Sequence, residues 1–295
     1  MTAPNITVGL PVYNGEETIG PCLDVLEAQT YRHFQVLIYD NASTDRTGEI
    51  CQAVADRDPR FIYHRNQENI GSAQNFLDVL AAADTEYFLW RADDDLTSPD
   101  FFEHLVARLD EAPEAALAAC RVESRRPAKN RIRRFGFVEA WRAPRIVNIV
   151  RRMFWSQPSW IYGLWRTEAL RRYYIETWEK YPKGWANDHL VLLQVILDDA
   201  LTGDSRPLFV QQIGVRPGST RQKPTLDQKI GEKTSYLSEY RRLCRQSVAE
   251  RDWSSRERWI LDRLIGLYAA KRVNASDFSI WKLKVRRAIL GGKAT

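Results

Sequence analysis

Short apolar runs alternate with segments of helical periodicity over the first 120 residues. Four such runs are typical of strands buried on both faces of a sheet, and they span Ile6–Val12, Phe34–Tyr39, Phe61–Tyr63 and Glu86–Trp90. The segments between them place apolar residues three and four positions apart, which predicts amphipathic helices. Asn14 is expected to cap the first of these helices. The order predicts an α/β unit with a Rossmann-like, mostly parallel sheet flanked by helices.

Polar residues follow three of these strands at the point where each strand ends. They are Tyr13, Asp40 and the triplet Asp93–Asp95. Ligands of parallel sheets collect beyond the carboxyl ends of the strands, so we expect a site at this edge. No GxGxxG follows the first strand and no GxxxxGK[ST] occurs. An ordinary dinucleotide fold and a P-loop NTPase therefore lack their phosphate-binding loop.

The acidic triplet is the strongest candidate for chemistry. Three adjacent carboxylates repel one another unless a cation lies among them, and Mg²⁺ or Mn²⁺ binds through one or two carboxylates plus substrate phosphates. The triplet thus indicates a cation that bridges to a diphosphate. Two other interpretations stay open: Asp95 caps a helix that starts near Pro99, and Asp40 stabilises a turn.

Composition excludes several classes of protein. The 295 residues are 44% hydrophobic and 27% charged, which argues against disorder. No apolar run approaches the roughly 18 residues that span a bilayer, and the N-terminus lacks the pattern of a signal peptide. The four cysteines form no CxxC pair, so buried thiols are expected rather than zinc ligands. These features predict a cytoplasmic protein.

Charge divides the chain into two parts. Residues 1–119 carry 7 Lys and Arg against 21 Asp and Glu, whereas residues 120–295 carry 36 against 17. An acidic part suits a cation, and a basic part suits phosphates, anionic lipid or nucleic acid. Residues 124–145 are strongly basic and are predicted to form a mobile surface loop.

The C-terminal part is predicted to be helical, with helices near Thr167–Tyr174, Asn187–Leu197 and 228–272. The tail Ile280–Leu290 alternates apolar and basic residues over about three helical turns. Such a helix can lie on an anionic membrane surface, or its apolar residues can pack on the protein. Both interpretations remain open.

Five motifs in this order resemble the family 2 glycosyltransferases of the GT-A fold. They are Pro11-Val-Tyr-Asn14, Gln29-Thr-Tyr31, Asp40-Asn-Ala-Ser-Thr-Asp45, Asn69-Ile-Gly71 and the triplet that precedes Pro99. The resemblance covers about the first 110 residues and implies a GT-A fold with a C-terminal helical extension. It implies a nucleotide-sugar-binding half over 1–122, an acceptor-binding half over 123–225 and a basic helical extension over 226–295.

The resemblance also implies roles for individual residues. Those that would line or contact the nucleotide are Pro11, Val12, Tyr13, Asp40 and Asn69, with Asp40 bonded to the base, most often uracil. The triplet would bind Mn²⁺ or Mg²⁺ and the donor diphosphate. Aligned on Pro99, the last aspartate of the family's D-x-D motif falls on Asp94 and the first on Ala92, so Asp94 is the best-supported ligand and Asp93 and Asp95 follow.

Asp188 matches the family's catalytic base, although Asn187 stands where an acid usually precedes it. Transfer of a sugar to a hydroxyl requires a group that accepts the hydroxyl proton, and direct displacement inverts the anomeric centre. The alternative is that Asp188 only favours a helix N-terminus. His189 is expected to be structural.

Two further features are open. The segment that begins at Arg216 resembles one that closes over the donor, but its usual His is absent; Arg216, Arg221 and Lys223 are the candidates for a phosphate contact, unless this is a solvated basic loop. Trp155, Trp160 and Trp165 form either a sugar-stacking platform or buried packing.

The sequence thus predicts an inverting, metal-dependent glycosyltransferase that moves a sugar from a nucleotide sugar, with UDP favoured, to a saccharide or lipid-linked saccharide of a bacterial surface. A sugar nucleotidyltransferase and a non-catalytic nucleic-acid-binding protein are the alternatives. A nucleic-acid partner is not expected because no recognised motif occurs. The sequence leaves open a further partner, an anionic surface at the inner face of the membrane.

Overall fold

The computed structural model describes residues 4–183, 186–214 and 225–291. Its N-terminal part confirms the predicted alternation of strands and helices. The strands are β1 (Ile6–Val12), β2 (Phe34–Asp40), β3 (Phe61–Arg65) and β4 (Tyr87–Trp90), and the helices are α1 (Ile19–Glu27), α2 (Thr47–Arg57) and α3 (Ser72–Ala81). The strands pair in parallel in the order β3-β2-β1-β4. Every residue of β1 is buried, so both faces of the sheet are covered.

The second part of the chain extends the same sheet with mixed strand directions. Its strands are β5 (Leu96–Thr97), β6 (Leu117–Arg126), β7 (Arg131–Phe135), β8 (Leu164–Arg166) and β9 (Leu201–Gln212). The order continues as β4-β8-β6-β9-β5, and β7 pairs with β6. β8 is antiparallel to both of its neighbours, whereas β6 and β9 are parallel. The α/β class is confirmed, with the uniformly parallel region confined to the first four strands.

Seven further helices cover this sheet and extend beyond it. They are α4 (Phe101–Asp110), α5 (Arg145–Trp155), α6 (Thr167–Lys180), α7 (Asn187–Leu197), α8 (Leu226–Ala249), α9 (Ser255–Arg272) and α10 (Asp277–Gly291). α8 and α9 each begin with a capping box, in which a Thr or Ser side chain and a Gln or Glu side chain bond each other's backbone amides. None of the helices in the described ranges is both long enough and apolar enough to cross a bilayer.

The C-terminal helices hold the start of α7 in place. The Tyr240 hydroxyl of α8 donates to the Ala186 carbonyl at 3.2 Å, and the Tyr268 hydroxyl of α9 donates to the His189 carbonyl at 2.9 Å. Both tyrosines are fully buried. The predicted helical extension therefore supports the segment that carries Asp188.

The prediction of a mobile loop over 124–145 is wrong for its first half. Strands β6 and β7 form an antiparallel hairpin, with Val122 opposite Phe135 and Arg126 opposite Arg131. The Glu123 carboxylate accepts hydrogen bonds from Arg125 at 2.7 Å and from Arg134 at 2.8 Å. This buried carboxylate offsets part of the positive charge that suggested a solvated loop.

The prediction that Asn14 caps the first helix is also wrong. α1 begins at Ile19, and Asn14 lies four residues before its N-cap, Thr18. Asn14 has a φ of 49°, in the left-handed region that Asn tolerates better than most residues. Its side-chain oxygen accepts from the Thr44 amide at 2.8 Å. Asn14 thus ties together the loops that follow β1 and β2.

Candidate active site

A cleft of about 220 Å³ opens at the carboxyl end of β1, and we call it the β1 cleft. It brings together five residues that the sequence placed at the nucleotide or the cation: Pro11, Val12, Tyr13, Asn69 and Asp93. The Tyr13 side chain is half-exposed, whereas Pro11 and Val12 are buried. The grouping follows from the parallel sheet, which carries the ends of its strands to one edge.

A network of asparagines forms one wall of the β1 cleft. Asn41 donates to the Asn69 side-chain oxygen at 2.9 Å, and its own oxygen accepts from Asn66 at 3.2 Å and from the Ile70 amide at 3.0 Å. Asn66 also donates to Asn75, at 3.1 Å. Because these amides bond one another, their orientations are fixed before any ligand binds. Sequence reasoning missed Asn41 and Asn66, whose roles depend on contacts between separate loops.

Asp40 lies behind the β1 cleft rather than on its surface. Its carboxylate is fully buried, and it accepts from the Tyr63 hydroxyl and the Arg65 guanidinium at 2.7 Å and from the Ser43 amide at 2.8 Å. Burial, followed by the bond to Asp40, raises the pKa of Tyr63 to about 12. The contact with Ser43 is the turn-stabilising one that the alternative interpretation of Asp40 expects.

The three carboxylates of the triplet have different surroundings. Thr18 donates to Asp93 at 2.9 Å, and the Gln212 amide donates to Asp95 at 3.0 Å. Both aspartates are buried, whereas Asp94 is partly exposed, and no side chain of the described residues donates to its carboxylate. Burial, followed by repulsion from Asp94, raises the pKa of Asp95 to about 7. Asp94 is thus the carboxylate of the triplet most open to a ligand.

The interpretation of Asp95 as a helix cap is wrong, because α4 begins at Phe101 with Asp100 at its N-cap position. Within residues 4–183, 186–214 and 225–291, no three His, Cys, Asp or Glu side chains come close enough to hold a metal ion. The carboxylates of the acidic triplet fit a hard cation that takes one or two carboxylates from the protein and completes its oxygen ligands with substrate phosphates.

Asp188 lies in the first turn of α7, two residues after the N-cap residue Ala186, whose φ of 61° turns the chain into the helix. The His189 amide donates to the Asp188 carboxylate at 2.8 Å. Burial raises the pKa of Asp188 above its ordinary value. Burial also lowers the pKa of His189 to about 3, so this imidazole is neutral and does not act as an acid at neutral pH.

Asp188 lines a second cleft, of about 390 Å³, which we call the Asp188 cleft. Phe76 lines both clefts, so the two are neighbours. Tyr162 lines the Asp188 cleft, and its pKa is raised first by burial and then by the carboxylates of Asp95, Asp188 and Asp94. The Tyr162 ring stacks on Phe209 at 5.6 Å between centroids. The triplet and Asp188 therefore both act electrostatically on the same phenol.

The predicted tryptophan platform does not form. Trp160 and Trp165 are buried, and their indole nitrogens donate to the Cys120 carbonyl at 3.0 Å and the Ile161 carbonyl at 2.9 Å. Trp155 is exposed and lines neither cleft. The packing interpretation therefore holds for Trp160 and Trp165. Arg216, Arg221 and Lys223 lie outside the described residues.

Solved structures with a similar fold support the architecture. Staphylococcus aureus TarS 1–349 in complex with UDP-GlcNAc aligns with a TM-score of 0.69 at 18% identity, over 95% of this chain and 76% of that one. The mannosyltransferase PcManGT from Pyrobaculum calidifontis, in complex with GDP-Man and Mn²⁺, aligns with a TM-score of 0.55 at 16% identity, over 98% of this chain and 76% of that one. At these identities the likeness shows the GT-A fold alone.

Curated relatives match about a third of this chain at higher sequence identity. Glycosyltransferase GlyA of Streptococcus pneumoniae is 34% identical over 106 residues, which is 36% of this chain and 15% of the relative. Glycosyltransferase GlyG of the same organism is 31% identical over 107 residues, which is 36% of this chain and 35% of the relative. The matched region thus spans about a third or less of each relative.

A family model covers more of the chain than these relatives do. The model described as glycosyl transferase family 2 matches residues 7–186, a range that includes the β1 cleft, the acidic triplet and Tyr162. With that match over more than half of its length, this chain belongs to glycosyl transferase family 2.

Proposed function

We propose that this chain transfers a sugar from a nucleotide sugar, with UDP favoured, to a hydroxyl acceptor and inverts the anomeric centre. The proposal is carried by one observation: the β1 cleft and the Asp188 cleft share Phe76 as a wall, with Asp93 of the triplet lining the first and Asp188 lining the second. A donor held at the first cleft would present its anomeric carbon toward the second. The complexes of TarS with UDP-GlcNAc and of PcManGT with GDP-Man support a nucleotide-sugar donor.

The β1 cleft is the proposed site of the nucleoside. Tyr13 offers a half-exposed ring for the base, and Asn69 offers an amide whose orientation is fixed by Asn41. Asp40 contributes through its neighbours: its buried carboxylate holds Arg65 and the Ser43 loop beneath this cleft. The half 1–122 is accordingly the donor-binding part.

Asp94 would hold Mn²⁺ or Mg²⁺, with Asp93 and Asp95 alongside. Such a cation, when bound, neutralises charge that develops on the departing nucleoside diphosphate. The raised pKa of Asp95 reflects the cost of several carboxylates in a partly buried place, which a cation would relieve. The PcManGT complex with Mn²⁺ supports this assignment.

Asp188 is the proposed general base. The acceptor oxygen forms a bond to the anomeric carbon while the bond from that carbon to the diphosphate oxygen breaks, and the hydroxyl proton passes to the Asp188 carboxylate. Burial raises the pKa of Asp188, which makes the carboxylate a stronger base. A single displacement of this kind inverts the anomeric centre.

The C-terminal helix is a proposed contact with an anionic membrane. Ile280 packs on the protein, but Phe278, Trp281 and Val285 are exposed at a spacing that places them on one face of α10. The rings of Phe278 and Trp281 stack at 5.7 Å. Exposed basic side chains flank them at Lys282, Lys284 and Arg286. Exposed aromatic residues beside basic ones suit the headgroup region of anionic lipid, where a lipid-linked acceptor would lie.

A thermal-shift screen tests the donor assignment. UDP-, GDP- and dTDP-sugars are added with and without Mn²⁺, and a ligand at 100 times its Kd should stabilise the protein by about 2.7 kcal/mol. We expect a rise in Tm with a UDP-sugar that depends on Mn²⁺. Release of nucleoside diphosphate separates this function from that of a sugar nucleotidyltransferase, which would release pyrophosphate.

A further inference from the structure

The Asp188 cleft has an aromatic wall that no sequence motif indicated. Tyr174 and Trp178 are one helical turn apart on α6, and their rings stack with centroids 6.2 Å apart and planes 10° apart. Trp90 packs against Tyr174 at 4.8 Å, and its indole nitrogen donates to the Phe76 carbonyl at 3.1 Å. Tyr174 and Trp178 are partly exposed, whereas Trp90 is buried. The wall therefore has a fixed base and an accessible surface.

Two polar groups in the same cleft have unused hydrogen-bonding capacity. The side-chain nitrogen of Asn187 donates to the Tyr181 carbonyl at 3.1 Å, but its oxygen is buried and accepts from none of the described residues. Gln211 accepts from the Ser159 hydroxyl at 2.9 Å, and its amide nitrogen donates to no described residue. A buried carbonyl oxygen without a donor is costly, so a ligand hydroxyl at Asn187 would be favourable.

The charge of the Asp188 cleft limits the kind of ligand that it can bind. Asp188 is the one carboxylic acid among the described residues that line it, and none of those residues is Lys or Arg. Arg272 acts on Asp188 electrostatically, but its guanidinium is bonded to Met153 and Ser156. Among the described residues that line this cleft, the carboxylate of Asp188 is thus the group that meets an anionic ligand, and it repels such a ligand.

We propose that the Asp188 cleft binds a neutral pyranose as the acceptor. One apolar face of the sugar ring lies on the Tyr174–Trp178 pair, the attacking hydroxyl lies at Asp188, and a neighbouring hydroxyl donates to the Asn187 oxygen. Uronic acids and sugar phosphates are disfavoured because their charge meets Asp188, and none of the described residues that line the cleft is a compensating Lys or Arg. This inference rests on the proposed function and adds the chemical class of the acceptor.

The test uses saturation-transfer difference NMR on the full chain without donor, followed by transfer assays with a UDP-sugar. The probes are the methyl glycopyranosides of glucose, galactose, mannose and N-acetylglucosamine, with methyl glucuronide as the anionic match. We expect at least one neutral glycoside to bind and to accept sugar, and the glucuronide to do neither.

Variants at Trp178 test whether the neutral acceptor binds at the aromatic wall of the Asp188 cleft. Trp178→Ala should raise the KM of the neutral acceptor about tenfold, as expected for the loss of one aromatic contact, with a much smaller effect on the Kd of the UDP-sugar. Trp178→Phe should restore most of the affinity. Trp155→Ala, at an exposed tryptophan outside both clefts, is the matched control and should change nothing.

The outcomes separate the two proposals. A protein that binds no UDP-sugar but shows Trp178-dependent binding of a pyranoside would refute the proposed function and keep the sugar site. A protein that hydrolyses UDP-sugar but binds no neutral pyranoside, or uses the glucuronide equally well, would overturn the acceptor inference. So would an unchanged acceptor KM in Trp178→Ala.

Discussion

The β1 cleft is walled by asparagine side chains that hydrogen-bond one another, whereas the Asp188 cleft is walled by stacked aromatic rings. In the first, the Asn41, Asn66 and Asn69 amides satisfy each other at 2.9 to 3.2 Å. In the second, Tyr174 and Trp178 pack ring on ring, and the Asn187 oxygen has no donor among the described residues. The two clefts nevertheless share Phe76 as a wall.

This difference shows how one enzyme can recognise two unlike ligands side by side. A fixed set of polar groups selects a ligand with a fixed pattern of donors and acceptors, such as a nucleoside. Aromatic faces instead accept any ring with an apolar face, and their selectivity comes from the few polar or charged groups around them. Variants that disturb one cleft should therefore leave ligand affinity at the other largely unchanged.

The largest effect is expected at Asp94, the proposed ligand of the cation that would bind the donor diphosphate. Asp94→Ala should abolish turnover and remove the Mn²⁺-dependent part of nucleotide binding, because it deletes the one carboxylate of the triplet that is open to a cation. Calorimetric titration with a UDP-sugar, with and without Mn²⁺, measures this. Asp56→Ala on the exposed face of α2 is the control and should behave as the parent protein. Full activity in EDTA would contradict the metal assignment.

A smaller effect is expected from the asparagine wall. Asn41→Ala removes the partner of the Ile70 amide and one of the two donors to the Asn69 oxygen, which keeps the Gly71 amide; a group left unsatisfied costs about 1 to 3 kcal/mol. The Kd of the UDP-sugar should rise about 10- to 100-fold, while the acceptor KM stays within about twofold. Equal losses for both ligands would show that the clefts are not separable.

The exposed face of α10 is expected to affect membrane binding without affecting turnover. Replacing Trp281 by Glu should lower binding to anionic vesicles about tenfold, because an interfacial aromatic ring is lost and a negative charge is added. Trp259→Glu, at an exposed tryptophan on α9, is the matched control. Turnover with soluble acceptors should not change. Co-sedimentation with vesicles at low salt decides this, and equal binding by the parent and Trp281→Glu proteins would contradict it.

The smallest effect is expected on the thermal stability of the protein when Asp188 is replaced. Because burial raises the pKa of Asp188, its ionised form destabilises the fold at neutral pH. Asp188→Asn should raise Tm by about 1 to 3 °C at pH 7, and the difference should disappear as the pH falls below the ordinary carboxyl pKa, where Asp188 is protonated in both states. Scanning calorimetry of both proteins, at pH values about one unit apart between pH 3 and pH 8, tests the sign of this difference in Tm. A fall in Tm at pH 7 would contradict it.

The two clefts also differ in how far the sequence predicts them. Pro11, Val12 and Tyr13 are consecutive and follow a buried strand, so periodicity and a motif place them at the sheet edge. Asp94 is predicted from an acidic triplet that follows the fourth strand, whereas Asp188 is predicted only from its match to a position of the family. The signals at the strand ends are local, and they are informative because parallel strands end at one edge.

The aromatic wall has no such local signal. Trp90 comes from a strand and the Tyr174–Trp178 pair from a helix, and they meet because α6 follows β8, which lies antiparallel beside β4. β8 has three residues, too few for a period to be recognised. The β6–β7 hairpin escapes prediction for a different reason. Its many arginines suggest a solvated loop, but in the structure Glu123 pairs with two of them.

The most direct test of the account measures turnover and donor affinity together in Asp188→Asn. If Asp188 accepts the acceptor proton, turnover should fall about 10²- to 10⁴-fold, while the Kd of the UDP-sugar stays within about twofold of the parent value. The amide keeps the size of the carboxylate and can still accept from the His189 amide, so the helix start should be preserved. A loss confined to donor affinity, or turnover equal to that of the parent protein, would contradict the assignment of Asp188 as the base.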